Sequence, residues 1–133
     1  MPITAASVTP LLQVFDTRRS VAFYRDLLGF TVIDKYEPDG NLYWAMLKLG
    51  GATIMLNARY EATDQPAQAD PKLRPGHADT TLFFMCDDVD AACAHVRANG
   101  IDANEPVNTH YGMRQLDITD PDGFGLCFQQ RLA

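Results

Sequence analysis

The feature that most limits what this chain can fold into is an order of elements that occurs twice. Residues Thr9 to Phe15 are apolar-rich and predict a strand. Asp16 is placed to cap a helix, and Ser20 to Leu28 carry Val21, Tyr24 and Leu28 at helical spacing. Gly29 closes that helix. Strands follow over Phe30 to Tyr36, Leu42 to Leu49 and Ala52 to Ala58, separated by the turns Pro38-Asp39-Gly40 and Gly50-Gly51. The order then restarts. Thr80 to Cys86 predict a strand, Asp87-Asp88 a cap, Val89 to Ala98 a helix, and Asn99-Gly100 its end. Ile101 to Val107 read as extended, and Met113 to Thr119 and Phe124 to Gln130 as strands joined by the turn Asp120-Pro121-Asp122-Gly123. Gly29 and Gly100 occupy equivalent places, and Leu11-Leu12 are read as the counterparts of Leu82-Phe83. An offset of about 70 residues exceeds solenoid periods, so this is a duplicated module and not an array.

The expected fold is therefore α+β: two tandem βαβββ modules forming a curved mixed sheet around a cleft. The 133 residues read as a single domain, with module one at about 8–58, a linker at about 59–78 and module two at about 79–131. Within the linker, Glu61 to Pro75 show no period and contain three prolines, which predicts a solvent-exposed connector. The chain is 47% hydrophobic, enough for a core without a staple. A net charge of −6 argues against nucleic acid, whose binding depends on lysines and arginines displacing counterions. Cys86, Cys93 and Cys127 lie in apolar stretches without a C-x-x-C pair, which favours reduced thiols and a cytoplasmic location. No apolar run is long enough to span a membrane, and the first residues lack a signal-peptide pattern.

Strand alternation sorts the side chains onto two faces. Leu12, Val14, Ile54, Leu56, Leu82, Phe84, Leu126 and Phe128 form an apolar set that is expected to pack under the helices. The other set is mixed: Thr9, Leu11 and Gln13; Thr53, Met55 and Asn57; Thr81, Phe83 and Met85; Cys127 and Gln129. Gln13, Asn57 and Gln129 disfavour burial under helices, because an unpaired buried amide costs about 1–3 kcal/mol. Met55, Phe83 and Met85 disfavour full solvation. Two readings of this face stay open: a ligand cleft with apolar walls and a few hydrogen-bonding groups, or a subunit contact.

The repeated βαβββ order, the run from Asp16 to Phe30 with its Ser20-x-x-Phe23-Tyr24-x-x-x-Leu28-Gly29-Phe30 signature, and the Asp120-Pro121-Asp122-Gly123 turn together resemble the vicinal oxygen chelate superfamily of glyoxalases, bleomycin-resistance proteins and extradiol dioxygenases. The resemblance covers nearly the whole chain. Enzymes of that superfamily hold a divalent metal with four side chains, usually His, Glu, His and Glu. Carried over one position at a time, those places hold Thr9, Met55, Thr81 and Cys127, a poor donor set for such a metal. Within the superfamily, Thr9-Pro10-Leu11 and the run from His110 to Leu116 are similar to the bleomycin-resistance-like subgroup, whose members bind cationic antibiotics in clefts at a dimer interface. The resemblance thus implies a homodimeric binding protein for a small organic molecule, cationic or aromatic, with no metal and no cofactor. The alternative is a metal-dependent glyoxalase-like lyase or dioxygenase with non-standard ligands.

The expected cleft residues are Thr9, Gln13, Trp44, Met55, Asn57, Thr81, Phe83, Met85, Tyr111, Arg114, Cys127 and Gln129. Trp44 and Tyr111, with Tyr43, offer stacking surfaces; Arg114 is either a partner for a ligand carboxylate or a surface arginine. Cys127 is a candidate nucleophile only if a cation activates it, and Asp117 only if it lies in the cleft. No catalytic residue is assigned, and the balance favours binding over catalysis. His77 and His110 remain the alternative route to a metal site, with Asp79 or Glu105.

Overall fold

The structure, a computed structural model, describes residues 2–133. The chain divides into two compact units, one ending at Ala67 and the other spanning Gln68–Ala133. Each holds one four-stranded mixed sheet with a helix on one face.

In the first unit, β1 (Leu11–Val14) leads into α1 (Thr17–Ala22), followed by β2 (Thr31–Tyr36), β3 (Trp44–Leu49) and β4 (Ala52–Ala58). The sheet order is β1-β4-β3-β2, with β1 parallel to β4 and the other pairs antiparallel. The helix starts three residues earlier than expected because Asp16 caps it, its side chain accepting from the Arg19 N–H at 3.1 Å. It is also not uniform. After Ala22 it widens into a π-helical turn over Phe23–Leu27, and Gly29 at φ 93° then releases the chain into β2. The widened turn accompanies an aromatic cluster: the buried Tyr24 meets Phe23 and Phe30 edge-on, with ring centroids 5.2 and 5.4 Å apart. Leu12, Val14, Ala45, Leu47, Ile54 and Leu56 are buried beneath α1. Each large aliphatic side chain buried this way contributes about 1.5–3 kcal/mol.

The second unit repeats the order. It runs β5 (Thr81–Met85), a ten-residue helix at Val89–Ala98, β6 (Val107–Asn108), β7 (Met113–Thr119) and β8 (Gly125–Arg131), with sheet order β5-β8-β7-β6. Asp88 caps the helix as Asp16 does, accepting from the Ala91 N–H at 3.0 Å. The two caps correspond, and the registers Leu11 beside Met55 and Phe83 beside Cys127 correspond with them. The counterpart of Leu11-Leu12 is therefore Phe83-Phe84, one residue later than the sequence comparison places it. Alternation demands this correction: Leu12 and Phe84 are both buried, whereas Leu11 and Phe83 are both exposed.

The expected connector is exposed, but it is tied down at both ends. Gln65 donates to the Phe15 carbonyl at 2.9 Å, and the Ala62 N–H donates to the Tyr43 hydroxyl at 3.2 Å. Beyond Ala67, the short helix α2 (Leu73–His77) precedes β5, so the helix at Val89–Ala98 is α3. Pro75 lies inside α2, in the first turn, where a missing N–H costs little.

The helix α2 is fastened to the Asp120–Gly123 turn. Arg74 donates to the Pro121 carbonyl at 2.6 Å, and His77 Nδ1 lies 2.7 Å from the Asp122 carbonyl with its ring stacked on Phe124. Asp120 is buried and holds the turn from inside, its Oδ1 accepting from the N–H groups of Asp122 and Phe124, both at 2.9 Å. Gly123 has φ 96°, and a Cβ there would lie 2.7 Å from Arg74 Cγ. Among the described residues no helix is long and apolar enough to cross a membrane.

Candidate functional site: the mixed faces of the two sheets

Strand register builds the helix-free face of each sheet in rows. In the first unit, one row contains Gln13, Asn57, Trp44 and Tyr36, and the next contains Leu11, Met55, Met46 and Asp34. Asn57 Nδ2 donates to Gln13 Oε1 at 3.1 Å. Thr9 lies just before β1, and its hydroxyl pairs with that of Thr53 at 2.8 Å. Thr9, Gln13, Trp44, Met55 and Asn57 are thus brought onto one face, each half-buried.

In the second unit, one row contains Phe83, Cys127 and Asp117, and the next contains Met85, Gln129, Gln115 and Val107. A polar chain runs along the latter. Gln115 Nε2 donates both to the Tyr111 hydroxyl and to Gln129 Oε1, each at 3.0 Å, and Gln129 Nε2 lies 3.6 Å from the Met85 sulfur. Phe83, Met85 and Tyr111 remain 57%, 59% and 59% exposed around this chain. Thr81 begins the same face beside Gly125, with its Oγ1 2.7 Å from where a Cβ on Gly125 would lie.

Two residues expected in the cleft are placed differently. Arg114 alternates with Leu116 and Ile118, which puts it on the helix side of its sheet. There it grips Asp90 on α3 at 2.8 Å and Asn108 at 2.8 Å, and this grip holds the Asp90 carboxyl below its ordinary value. Cys127 lies on the mixed face but is 0% exposed. Burial, then the charge of the neighbouring Asp117 and a hydrogen bond to it, push the thiol up to about 12. A thiol held protonated in this way is a poor nucleophile. Gln115, Met46 and Tyr36 join these faces without having been expected there. Alternation from Asp117 along β7 and from Trp44 along β3 is the signal for Gln115 and Met46, and Tyr36 follows only from its pairing with Trp44 across the β2–β3 ladder.

The four positions where the resemblance implies metal ligands do not fit a divalent metal. Thr9 is engaged with Thr53, Met55 offers only a thioether, Thr81 offers a neutral hydroxyl, and Cys127 is buried and protonated. His77 is held by Asp122 and Phe124, and His110 packs edge-on against Tyr111. Among the described residues, no group of three or more His, Cys, Asp or Glu side chains is arranged to hold a metal ion.

Comparison with known proteins agrees with this architecture. TnmS3, an antibiotic binding protein from Streptomyces sp. CB03234, is 25% identical to this chain with a TM-score of 0.70, over 98% of this chain and 99% of that one. TioX from Micromonospora sp. ML1 is 21% identical with a TM-score of 0.74, over 96% and 100%. A bleomycin-binding protein solved in complex with bleomycin is 21% identical with a TM-score of 0.71, over 96% and 99%. The latter two likenesses establish the fold alone. No curated protein matches the chain. The profile of the Glyoxalase/Bleomycin resistance protein/Dioxygenase superfamily matches residues 6–128, nearly the full length, and the chain belongs to that superfamily.

Proposed function

We propose that this chain is a metal-free binding protein that holds a small organic molecule against its mixed sheet faces and sequesters it without chemical change. One observation carries the reading. The face of the second sheet presents large exposed apolar groups, Phe83, Met85 and Tyr111, around an ordered amide chain, Gln115 to Gln129. Exposed apolar walls with a few fixed hydrogen-bonding groups suit a ligand surface. Asp117 adds a carboxylate to the row of Phe83, on the far side of Cys127, which favours a planar or cationic molecule; an aromatic ring attracts a cation by about 0.5–2 kcal/mol. The likeness to an antibiotic binding protein supports the same class of ligand. The protein acts in the cytoplasm as a homodimer under this reading.

A thermal-shift screen against cationic antibiotics and aromatic metabolites tests it. At least one compound raises Tm, the shift is lost in Phe83→Ala, and the compound is recovered unchanged. No shift with any compound, or conversion of the compound, contradicts the proposal. Sedimentation equilibrium tests the dimer, and Met55→Glu distinguishes a ligand surface from a subunit contact. A ligand surface leaves association intact in that variant, whereas a subunit contact gives monomers.

A further inference from the structure

The helix side of the first sheet holds a second surface that the proposed function does not use. Four strands spaced about 4.8 Å apart make a sheet about 15 Å across, and a helix about 10 Å wide covers only part of it. Here α1 packs on β3 and β4, and β2 is left uncovered at the edge. The result is a groove of about 520 Å³ between α1 and β2. That volume falls within the range of small-molecule sites, about 300–1,000 Å³.

The second module shows that an open groove is not an inevitable product of this architecture. There the segment 101–106 runs along α3 before β6. Arg97 donates to the Ala103 carbonyl at 2.8 and 3.0 Å and to Glu105 at 2.8 Å, and Pro106 is buried. In the first module β2 begins two residues after Gly29, so no comparable segment lies along α1.

The groove has a definite chemistry. Its floor is apolar: Val21 and Ala45 are buried, and Val32 and Leu42 half-buried. Its rim carries three cations, Arg18, Arg25 and Lys35, and the carboxylate Glu37, while Asp26, paired to Arg25, brings a second carboxylate to its edge. Glu37 positions two of these cations, accepting from Arg18 and, at 3.1 Å, from Lys35. Arg18 also donates to the Gly40 carbonyl at 2.6 Å, and Arg25 is steadied by Asp26 at 2.7 Å. A cation-rich rim in a chain of net charge −6 runs against the overall field.

We propose that this groove binds an organic anion with an apolar body, the body lying on Val21, Val32, Leu42 and Ala45 and its carboxylate meeting Lys35 and Arg25. The site is separate from the mixed faces, so the two proposals stand or fall independently.

The test is a titration of isotope-labelled full-length protein with 4-phenylbutyrate, followed through backbone amide shifts, with 4-phenylbutanol as the neutral match. Saturable shifts at Val21, Val32 and Ala45 with the carboxylate are expected. Affinity for the alcohol, and for the carboxylate in the double variant Arg25→Ala/Lys35→Ala, falls by about tenfold or more. These rim side chains are exposed, and an unchanged amide spectrum outside the groove verifies that the variant is folded. Equal binding of alcohol and carboxylate, unchanged affinity in the folded double variant, shifts confined to the residues around Phe83 or Met55, or no shift below about 10 mM would overturn the proposal.

Discussion

Asp117 and Cys127 lie directly opposite each other on the antiparallel pair β7–β8, and burial together with the neighbouring carboxylate keeps the thiol protonated. The pairing turns the one cysteine on the mixed face into an inert group. Native protein at pH 8 is therefore expected to resist alkylation at Cys127, with mass spectrometry of iodoacetamide-treated peptides as the readout. The pairing also has a sign in pH. The thiol has an ordinary value of 9.0 and is raised to about 12 in the fold. Between those values the unfolded chain releases a proton that the folded chain keeps. Its contribution is intact below pH 9 and is lost as pH rises toward 12. Urea unfolding of Cys127→Ala should show a shallower loss of stability over that window than the parent chain.

Gly123 is expected to resist substitution for two independent reasons, its φ of 96° and the 2.7 Å approach of Arg74 Cγ. Gly123→Ala should cost about 2 kcal/mol or more in chemical denaturation, through left-handed backbone strain combined with overlap. Because Arg74 Cγ is side chain but Arg74 O, at 2.8 Å, is backbone, adding Arg74→Ala should restore only part of the loss.

Arg114 grips Asp90 on the helix side of its sheet. Arg114→Ala should raise the Asp90 carboxyl toward its ordinary value, which side-chain carbon shifts in a pH titration would report. The depressed carboxyl favours the fold above its ordinary range, and that contribution is lost as pH falls through the lowered value; the variant removes this dependence. The same variant should leave binding at the Phe83–Met85 face unchanged, and weakened binding there would contradict the placement of Arg114.

The aspartates that open α1 and α3 act alike. Asp16→Ala and Asp88→Ala should each lower stability by about 1 kcal/mol, measured by urea unfolding.

Much of this architecture is legible in the sequence because alternation and capping are local. Ala52–Ala58, Val89–Ala98 and Met113–Thr119 have the bounds that their patterns predict, and the split between Leu12 or Phe84 and Leu11 or Phe83 follows from strand period alone. What was not legible depends on neighbours. Strand parity assigns Cys127 to a face but says nothing of depth, and its burial arises on a central strand between Phe83 and Asp117. Arg114 shares a motif with Tyr111, yet parity with Leu116 turns it toward α3, where Asp90 waits. The helix α2 exists because the Asp120–Gly123 turn gives Arg74 and His77 carbonyls to hold, a partnership between segments far apart in sequence.

The central claim is that this protein binds its ligand without a metal. Its most direct test is metal quantification on freshly purified, tag-free protein by plasma mass spectrometry. The account predicts less than about a tenth of an equivalent of any transition metal per chain. Close to one equivalent, retained through gel filtration, would contradict it and assign the chain to the metal-dependent branch of its superfamily.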